Sequence, residues 1–466
     1  LNPAALPLSR LLRRGDYADA YLEETDHLTL RWEERRLDDV SQGSLSGLGL
    51  RFCRGEETRF GHIDLPRPVS GGLSAAALSR AGKLARDLAG TWPAGRPPRR
   101  RPCAASADHA AAVPPADVPL KEKVERLRRA EAAARAVPGV VQVSLSYGER
   151  VKRTVVVTSA GDVVEERRTY VVFSAEATAK SGDRLQTAYE SAGGMGGWER
   201  LARPSPEEVA VTAARRAAAK LKAPSAPLGP VPVVIASEAG GTLIHEAIGH
   251  ALEADGILQG TSPHFAGKVG RRVANEKVTV LDDPTLSGHR GSFHFDDEGV
   301  PSERTVLVED GVLKTYLYDR QSARRGRRPP NGHGRRESYA HKAIPRMSNT
   351  FIAPGADSPE DIRRSLKRGL LVTRMGGGQV NTATGDFVFE VEEGWWVEDG
   401  RVKRLVRGAN LLGNGPEVLR SIDRVGWDIG WSIGTCGKDG QGVPVSDGVP
   451  TLRIPKVVVG GTQDSQ

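Results

Sequence analysis

The segment ASEAGGTLIHEAIGHALEADGI, residues 236–257, carries His245, Glu246 and His250 in the order H-E-x-x-x-H. That is one residue longer than the H-E-x-x-H of zinc peptidases. Side chains three or four residues apart share a helix face. Five residues at ~100° each set the imidazoles about 140° apart, so a regular α-helix cannot aim both at one ion. A π-type turn, hydrogen-bonded i to i+5, brings them back together, and Gly249 beside His250 eases such a distortion. Gly240 and Gly241 precede the turn, and Thr242 is placed to cap a helix over 238–255. The competing reading is an ordinary helix whose two histidines are bonded locally and whose Glu246 is a solvated charge, because short patterns recur by accident.

A metal would need a third donor, since catalytic zinc takes three protein ligands and keeps one position open. Cys436 is the candidate, a thiol in the glycine-rich run TCGKDGQG, where the Lys438 charge favours the thiolate. Cys53, inside GLRFCRG, reads as a core residue, and Cys103 as an inert one. Two imidazoles and a thiolate suit zinc better than calcium or magnesium. Glu246, next to a ligand, then acts as base toward the water on the metal and as acid toward the leaving amine, which makes the reaction amide hydrolysis. Glu253 either orients a ligand through a hydrogen bond or is a helix-surface charge. In GRRESYAHKAIPR, Arg335, Arg336, Tyr339 and His341 either bind substrate or its oxyanion or satisfy the carbonyls of their own loop. Gly376, Gly377 and Gly378 let a peptide backbone approach closely, and no Lys-Ser/Thr follows to make a phosphate loop. His264, His289, His294 and His333 stand in no motif.

A chain of 466 residues implies two or three domains. Its 54 glycines, well above the usual ~7%, point to many turns and a large β component. The net charge of +8 comes from 66 basic and 58 acidic residues interspersed, an enzyme-like surface that argues against nucleic acid as a partner. The arginine blocks PPRRRP (97–102) and ARRGRR (323–328) read as solvated loops, because no stacking aromatics are interleaved with them. Three cysteines make no disulfide framework, and neither a signal-type apolar run nor a membrane-length one is present. These features point to a cytoplasmic protein with no membrane association. The fold class expected is α+β. Residues 1–92 form an N-terminal α/β domain with a helix near Leu6, a hairpin turning at Gly55 and a helix over 74–90. Residues 93–118 are a Pro/Arg/Ala-rich linker. Residues 119–225 form a central α+β domain, with strands turning at Tyr147-Gly148 and Gly161-Asp162 and a second helix capped by Ser205. Residues 226–466 form a mostly antiparallel β domain holding the metal-binding helix.

Five separated stretches carry a resemblance: HEAIGHALEADGI, GSFHFDDEGVPSERTVLVEDGVLKTYLYDR, NGHGRRESYAHKAIPRMSNT, GGGQVNTATGDFVF and CGKDGQGVPVSDGVPTLRI. Together with GDYADAYLEETDHLTLRWEERRLDDVSQGSLSGLGLRF near the start, they resemble the TldD/PmbA family of metallopeptidases, in its TldD-like branch. The resemblance implies one zinc per chain held by His245, His250 and Cys436, with Glu246 as base. It implies an extended, unstructured peptide as substrate, taken up by strand addition in an enclosed cleft. It also implies a dimer, either with a PmbA/TldE-like chain or with itself. Two other readings stand beside it: a non-proteolytic partner-binding or assembly protein, which would not need these residues, and an amidohydrolase of small peptide-like conjugates using the same site.

Overall fold

Apolar residues alternate with polar ones in both halves of YADAYLEETDHLTLRWE, on either side of Glu24 and Asp26, the period of a strand with one face on a core. Ala18, Ala20, Leu22, Leu28, Leu30 and Trp32 are all buried. In the computed structural model, which describes residues 5–67, 72–95 and 103–461, this stretch is the first strand of a seven-stranded sheet. Its strands are β1 (Tyr17–Glu33), β2 (Arg36–Arg54), β3 (Glu57–Asp64), β4 (Ala104–His109), β5 (Val140–Thr158), β6 (Val163–Ser181) and β7 (Arg184–Met195). The order is β3-β2-β1-β5-β6-β4, with β7 also on β6. Four helices cover one face: α1 (Ala5–Leu11) and α2 (Ala75–Ala89) over one half, α3 (Leu120–Arg135) and α4 (Pro206–Lys220) over the other. The start of α4 is fixed by a reciprocal capping box between Ser205 and Glu208.

Three expectations change here. Strands of 1–92 and of 119–225 share one sheet, because β1 pairs with β5 from Asp19↔Thr158 to Glu33↔Ser144. The stretch read as a linker contributes β4, which pairs in parallel with β6; PPRRRP lies outside the described residues. No turn occurs at Tyr147-Gly148. Tyr147 is buried and paired on both sides, and sheet pairing overrides the local turn preference of glycine. The turn at Gly161 is present, and a second falls at Gly182.

The remaining strands are β8 (Gly229–Ile235), β9 (Val280–Asp282), β10 (Thr305–Glu309), β11 (Val312–Leu313), β12 (Gly334–Arg335), β13 (Ile344–Pro345), β14 (Asn349–Ile352), β15 (Arg368–Val380), β16 (Asp386–Glu398), β17 (Arg401–Val406), β18 (Ala409–Asn414), β19 (Arg424–Val425), β20 (Gly430–Lys438), β21 (Gln441–Val449) and β22 (Leu452–Gly461). Strands β15-β8-β22-β18-β16 close into a ring through β15–β16 pairing. A six-stranded sheet, β11-β10-β9-β14-β21-β20, lies beside it and ends on β20. Residues 237–252 pack between the two, touching β15 and β16 of the ring and β14, β20 and β21 of the sheet. The architecture is α+β, with mostly antiparallel sheets and a β-rich C-terminal region. Among the described residues no helix is long and apolar enough to cross a membrane.

Candidate active site

The segment quoted first is not one helix. A 3-10 turn at Ser237–Ala239 leads through Gly240 to an α turn at Thr242–Ile244, a π turn at His245–Gly249, a 3-10 turn at His250–Leu252 and a short helix at Ala254–Gln259. The His250 N–H donates to the His245 carbonyl, the i to i+5 bond that the spacing requires. Gly241, not Thr242, stands at the N-cap, with no side-chain cap bond. Gly249 has an ordinary right-handed helical conformation (φ −52°, ψ −55°), so its backbone freedom is not what the site uses. A Cβ there would lie 1.9 Å from Met347 Sδ, and Met347 is fully buried. Gly249→Ala is therefore expected to cost about 1–3 kcal/mol through overpacking, read as a lower urea midpoint. Adding Met347→Ala should recover part of that loss, a rescue that a need for glycine flexibility would not give.

The π turn brings the imidazoles edge to face, with ring centroids 5.1 Å apart. One ligand atom each from His245, His250 and Cys436 lie within 4.8 Å of one another. Both histidines have Nδ1 committed to a carboxylate: His245 to Asp447 Oδ1 at 2.7 Å, His250 to Glu253 Oε2 at 3.1 Å. That leaves each Nε2 as the free donor, the carboxylate–histidine arrangement of metal sites. Cys436 Sγ is 3.5 Å from His250 Nε2. Burial alone would raise the thiol, but the two imidazoles hold it down at about 5. A thiolate and two oriented imidazoles fit zinc. Glu246 Oε2 lies 4.0 Å from His250 Nε2, and burial raises its carboxyl above the ordinary range against the pull of both histidines.

Lys438 does not act on the thiol as expected. Its ammonium bonds Asp255 at 2.8 Å and Glu253 at 3.1 Å, which holds Glu253 charged, with a pKa of about 2 in spite of burial. Asp447 was missed in the sequence. Its only signal is an acid on the strand after Cys436, brought alongside by the β20–β21 hairpin.

A cleft passes over these groups between β15 and β20. One cavity of about 450 Å³ has His245 and Glu246 at its base, Arg374–Gly378 on one wall and Ser432–Thr435 on the other. A second of about 560 Å³ holds Glu246, His250 and Cys436, and the two meet at Glu246, Gly378 and Thr435. Both walls are open strand edges among the described residues, since β15 leaves β8 after Val372 and β20 pairs with β21 alone. Of the three glycines, only Gly377 faces open space. A Cβ on Gly378 would meet the Phe389 ring at 1.9 Å, and one on Gly376 would lie 3.1 Å from Glu390.

Arg335, Arg336, Tyr339 and His341 line none of these cavities. Arg335 is buried and donates to the carbonyls of Met347 and Pro444. Arg336, also buried, bonds Asp19 Oδ1 at 3.1 Å and lies over the Tyr21 ring. Tyr339 donates to Asp64 at 2.6 Å, and His341 Nδ1 pairs with Ser338 at 2.9 Å. The cluster thus joins the second face of the seven-stranded sheet to the C-terminal region, because buried guanidinium groups need carboxylate and carbonyl partners. ARRGRR is not a free loop either: Arg324 and Arg325 pair with Asp16 and Glu56. Cys53 is buried beside Thr58, and Cys103 is half-buried.

Curated relatives match the chain along much or nearly all of its length. A metalloprotease of Methanothermobacter thermautotrophicus is 36% identical over 449 residues, 96% of each chain. A metalloprotease TldD homologue of Haemophilus influenzae is 33% identical over 482 residues, 99% of this chain and 98% of its own. A zinc metalloprotease TldD homologue of Saccharolobus solfataricus is 34% identical over 243 residues, 52% of this chain and 54% of its own. The crystal structure of TldE from Thermococcus kodakarensis has the same fold, with a TM-score of 0.74 at 20% identity over 98% of this chain and 99% of that one. The protein is a metallopeptidase. Models of the PmbA/TldA metallopeptidase central and C-terminal domains match residues 113–221 and 228–461, and the chain belongs to the PmbA/TldD family.

Proposed function

We propose that the chain is a zinc-dependent peptidase that hydrolyses extended, unstructured peptides. The observation that carries this reading is the convergence of the His245, His250 and Cys436 donors beside Glu246, on the floor of a cleft walled by two open strand edges. A peptide laid between β15 and β20 finds unpaired backbone donors and acceptors on both sides, which favours an extended chain over a folded one. Residues 374–380 of β15, at ~3.3 Å each, span about 23 Å, enough for a short segment on either side of the bond cleaved. One zinc, held by His245, His250 and Cys436, would polarise the scissile carbonyl and ease ionisation of a water. Glu246 takes the proton of the attacking water and returns it to the leaving nitrogen. Asp447 and Glu253 keep both histidines aimed by their Nδ1 atoms, and Lys438 keeps Glu253 ionised. A reducing cytoplasm suits a site whose third donor is a free thiol. The solved TldE chain of the same fold supports a dimer with such a partner, and a self-dimer is the other assembly to test.

The test is metal removal. The purified chain, alone and mixed with a TldE-like partner, should contain one zinc per site, lose peptide cleavage on chelation and regain it with added zinc. Undiminished cleavage by metal-free protein would sink the proposal.

A further inference from the structure

A third cavity, of about 590 Å³, adjoins the cleft and shares Ser191, Arg374, Ser432 and Ile433 with it. Four arginines line it, Arg200, Arg203, Arg290 and Arg374, against two acids, Glu190 and Glu199. Both acids are already engaged. Glu190 bonds Arg374 at 2.5 Å and Arg216 at 3.2 Å. Glu199 accepts the N–H groups of Gly197 at 2.8 Å and Val113 at 2.9 Å. Arg200, Arg203 and Arg290 have no carboxylate within ion-pair distance among the described residues.

Arg203 is exposed, and water can solvate it. The other two are different. Arg290 is held by neutral acceptors, the Gly434 carbonyl at 3.1 Å and Thr435 Oγ1 at 3.3 Å, both on the strand that carries Cys436. The Nε of Arg290 and the Nε of Arg200 are each buried and bonded to no described residue. Arg200 lies against Gly288, where a Cβ would come within 2.3 Å of its Nη2 and where φ is +78°, so glycine leaves the guanidinium its room. The His289 ring, packed 4.2 Å from Trp431, closes the wall. Arg200 and Arg290 are half-buried, and holding a cation partly out of water without a counter-charge is costly, a cost that an anionic ligand offsets.

We propose that this end of the cleft is a carboxylate-binding subsite, built from Arg200 and Arg290, that selects peptides bearing an acidic side chain or a free α-carboxylate near the bond cleaved. It rests on the peptidase reading and supplies its substrate class. Arg290 reaches Gly434 and Thr435, and Trp431 at the other end of the cavity is about four strand residues away, or ~13 Å, so the carboxylate belongs to one of the first four peptide residues from the scissile bond. A planar guanidinium pairs with a carboxylate through two parallel N–H bonds, which an isosteric amide cannot match.

The experiment uses the full-length, zinc-loaded Glu246→Gln chain, in which peptides bind without turnover. Fluorescein-labelled ten-residue unstructured peptides carry a single Glu or Gln at each of the first four positions on either side of the central bond. A second set has a free C-terminus or a C-terminal amide at the same distances, which separates the two sources of the carboxylate. In anisotropy titrations at least one acidic peptide should bind roughly tenfold tighter than its amide counterpart. Adding Arg200→Gln should erase that preference, and adding Arg200→Lys should keep part of it. Equal binding of every acid–amide pair, including no binding, overturns the subsite, as does a preference undiminished in Arg200→Gln. A preference present in binding, while the wild-type chain cleaves none of the peptides, leaves the subsite standing and defeats the peptidase reading instead.

Discussion

Glu246→Gln is expected to lower peptide cleavage by about 10²–10⁴-fold while zinc content stays at the wild-type level. The carboxylate lies beside the three donors rather than among them, 4.0 Å from the nearer imidazole nitrogen. Burial raises its pKa above the ordinary carboxylate range, which makes it a stronger base than a solvated glutamate. Glutamine keeps its shape and removes the proton acceptor. Asp447 and Glu253, which orient the histidines, are untouched by the change. The loss should therefore fall on kcat, with metal analysis unchanged. A variant that cleaves normally removes Glu246 from the chemistry, and one that loses its zinc makes Glu246 a ligand. Cys436→Ser provides the contrast, since a donor replaced by a poor one should cost the metal itself.

Asp19→Ala is expected to destabilise the chain by about 3–5 kcal/mol. Asp19 on β1 is fully buried and bonds Arg51 at 2.7 Å and Arg336 at 3.1 Å. Burial works against its charge, but the two guanidinium groups hold its pKa below the ordinary value. Arg51 keeps a second partner in Glu298, whereas Arg336 has Asp19 as its carboxylate partner and otherwise a carbonyl of Asp297. Truncation leaves at least one buried cation uncompensated, the costly half of breaking a buried pair. The measurement is urea unfolding of Asp19→Ala, Arg336→Met and the double variant. The double variant should be more stable than the sum of the single losses predicts. Strict additivity would show that the two groups are not coupled. Since the folded pKa lies below the unfolded ~3.9, this contribution is complete above that pH and fades only as the pH falls below it.

The same residues show what the sequence could and could not reveal. The five-residue spacing of His245 and His250 carried the π turn in its arithmetic, and Cys436 was the thiol with glycine on one side and a cation close by. Strand periodicity and the Ser205 cap were also local, and local signals survive in sequence. Asp447, Arg290 and Arg200 were invisible because their meaning lies in what they face across the fold. Arg336 and Tyr339 misled for a related reason. A dense polar loop looks the same whether it meets substrate or a buried sheet face, and its partners across the fold decide which: Asp19 on β1 accepts from Arg336, and Glu23 on the same face accepts the Tyr339 N–H. The glycine of Tyr147-Gly148 failed as a turn because β1 and β6 claim its strand from both sides.

The order in which the site's donors are synthesised has its own consequence. His250 leaves the ribosome 186 residues ahead of Cys436. The thiol is held beside the histidines on β20, which pairs with β21, and β21 in turn lies in parallel on the much earlier β14. A nascent chain thus carries Glu246 and two donors through 186 residues of its synthesis without the third. On the ligand set proposed above, cleavage has to wait for one late hairpin, so a chain still being made is expected to be inactive.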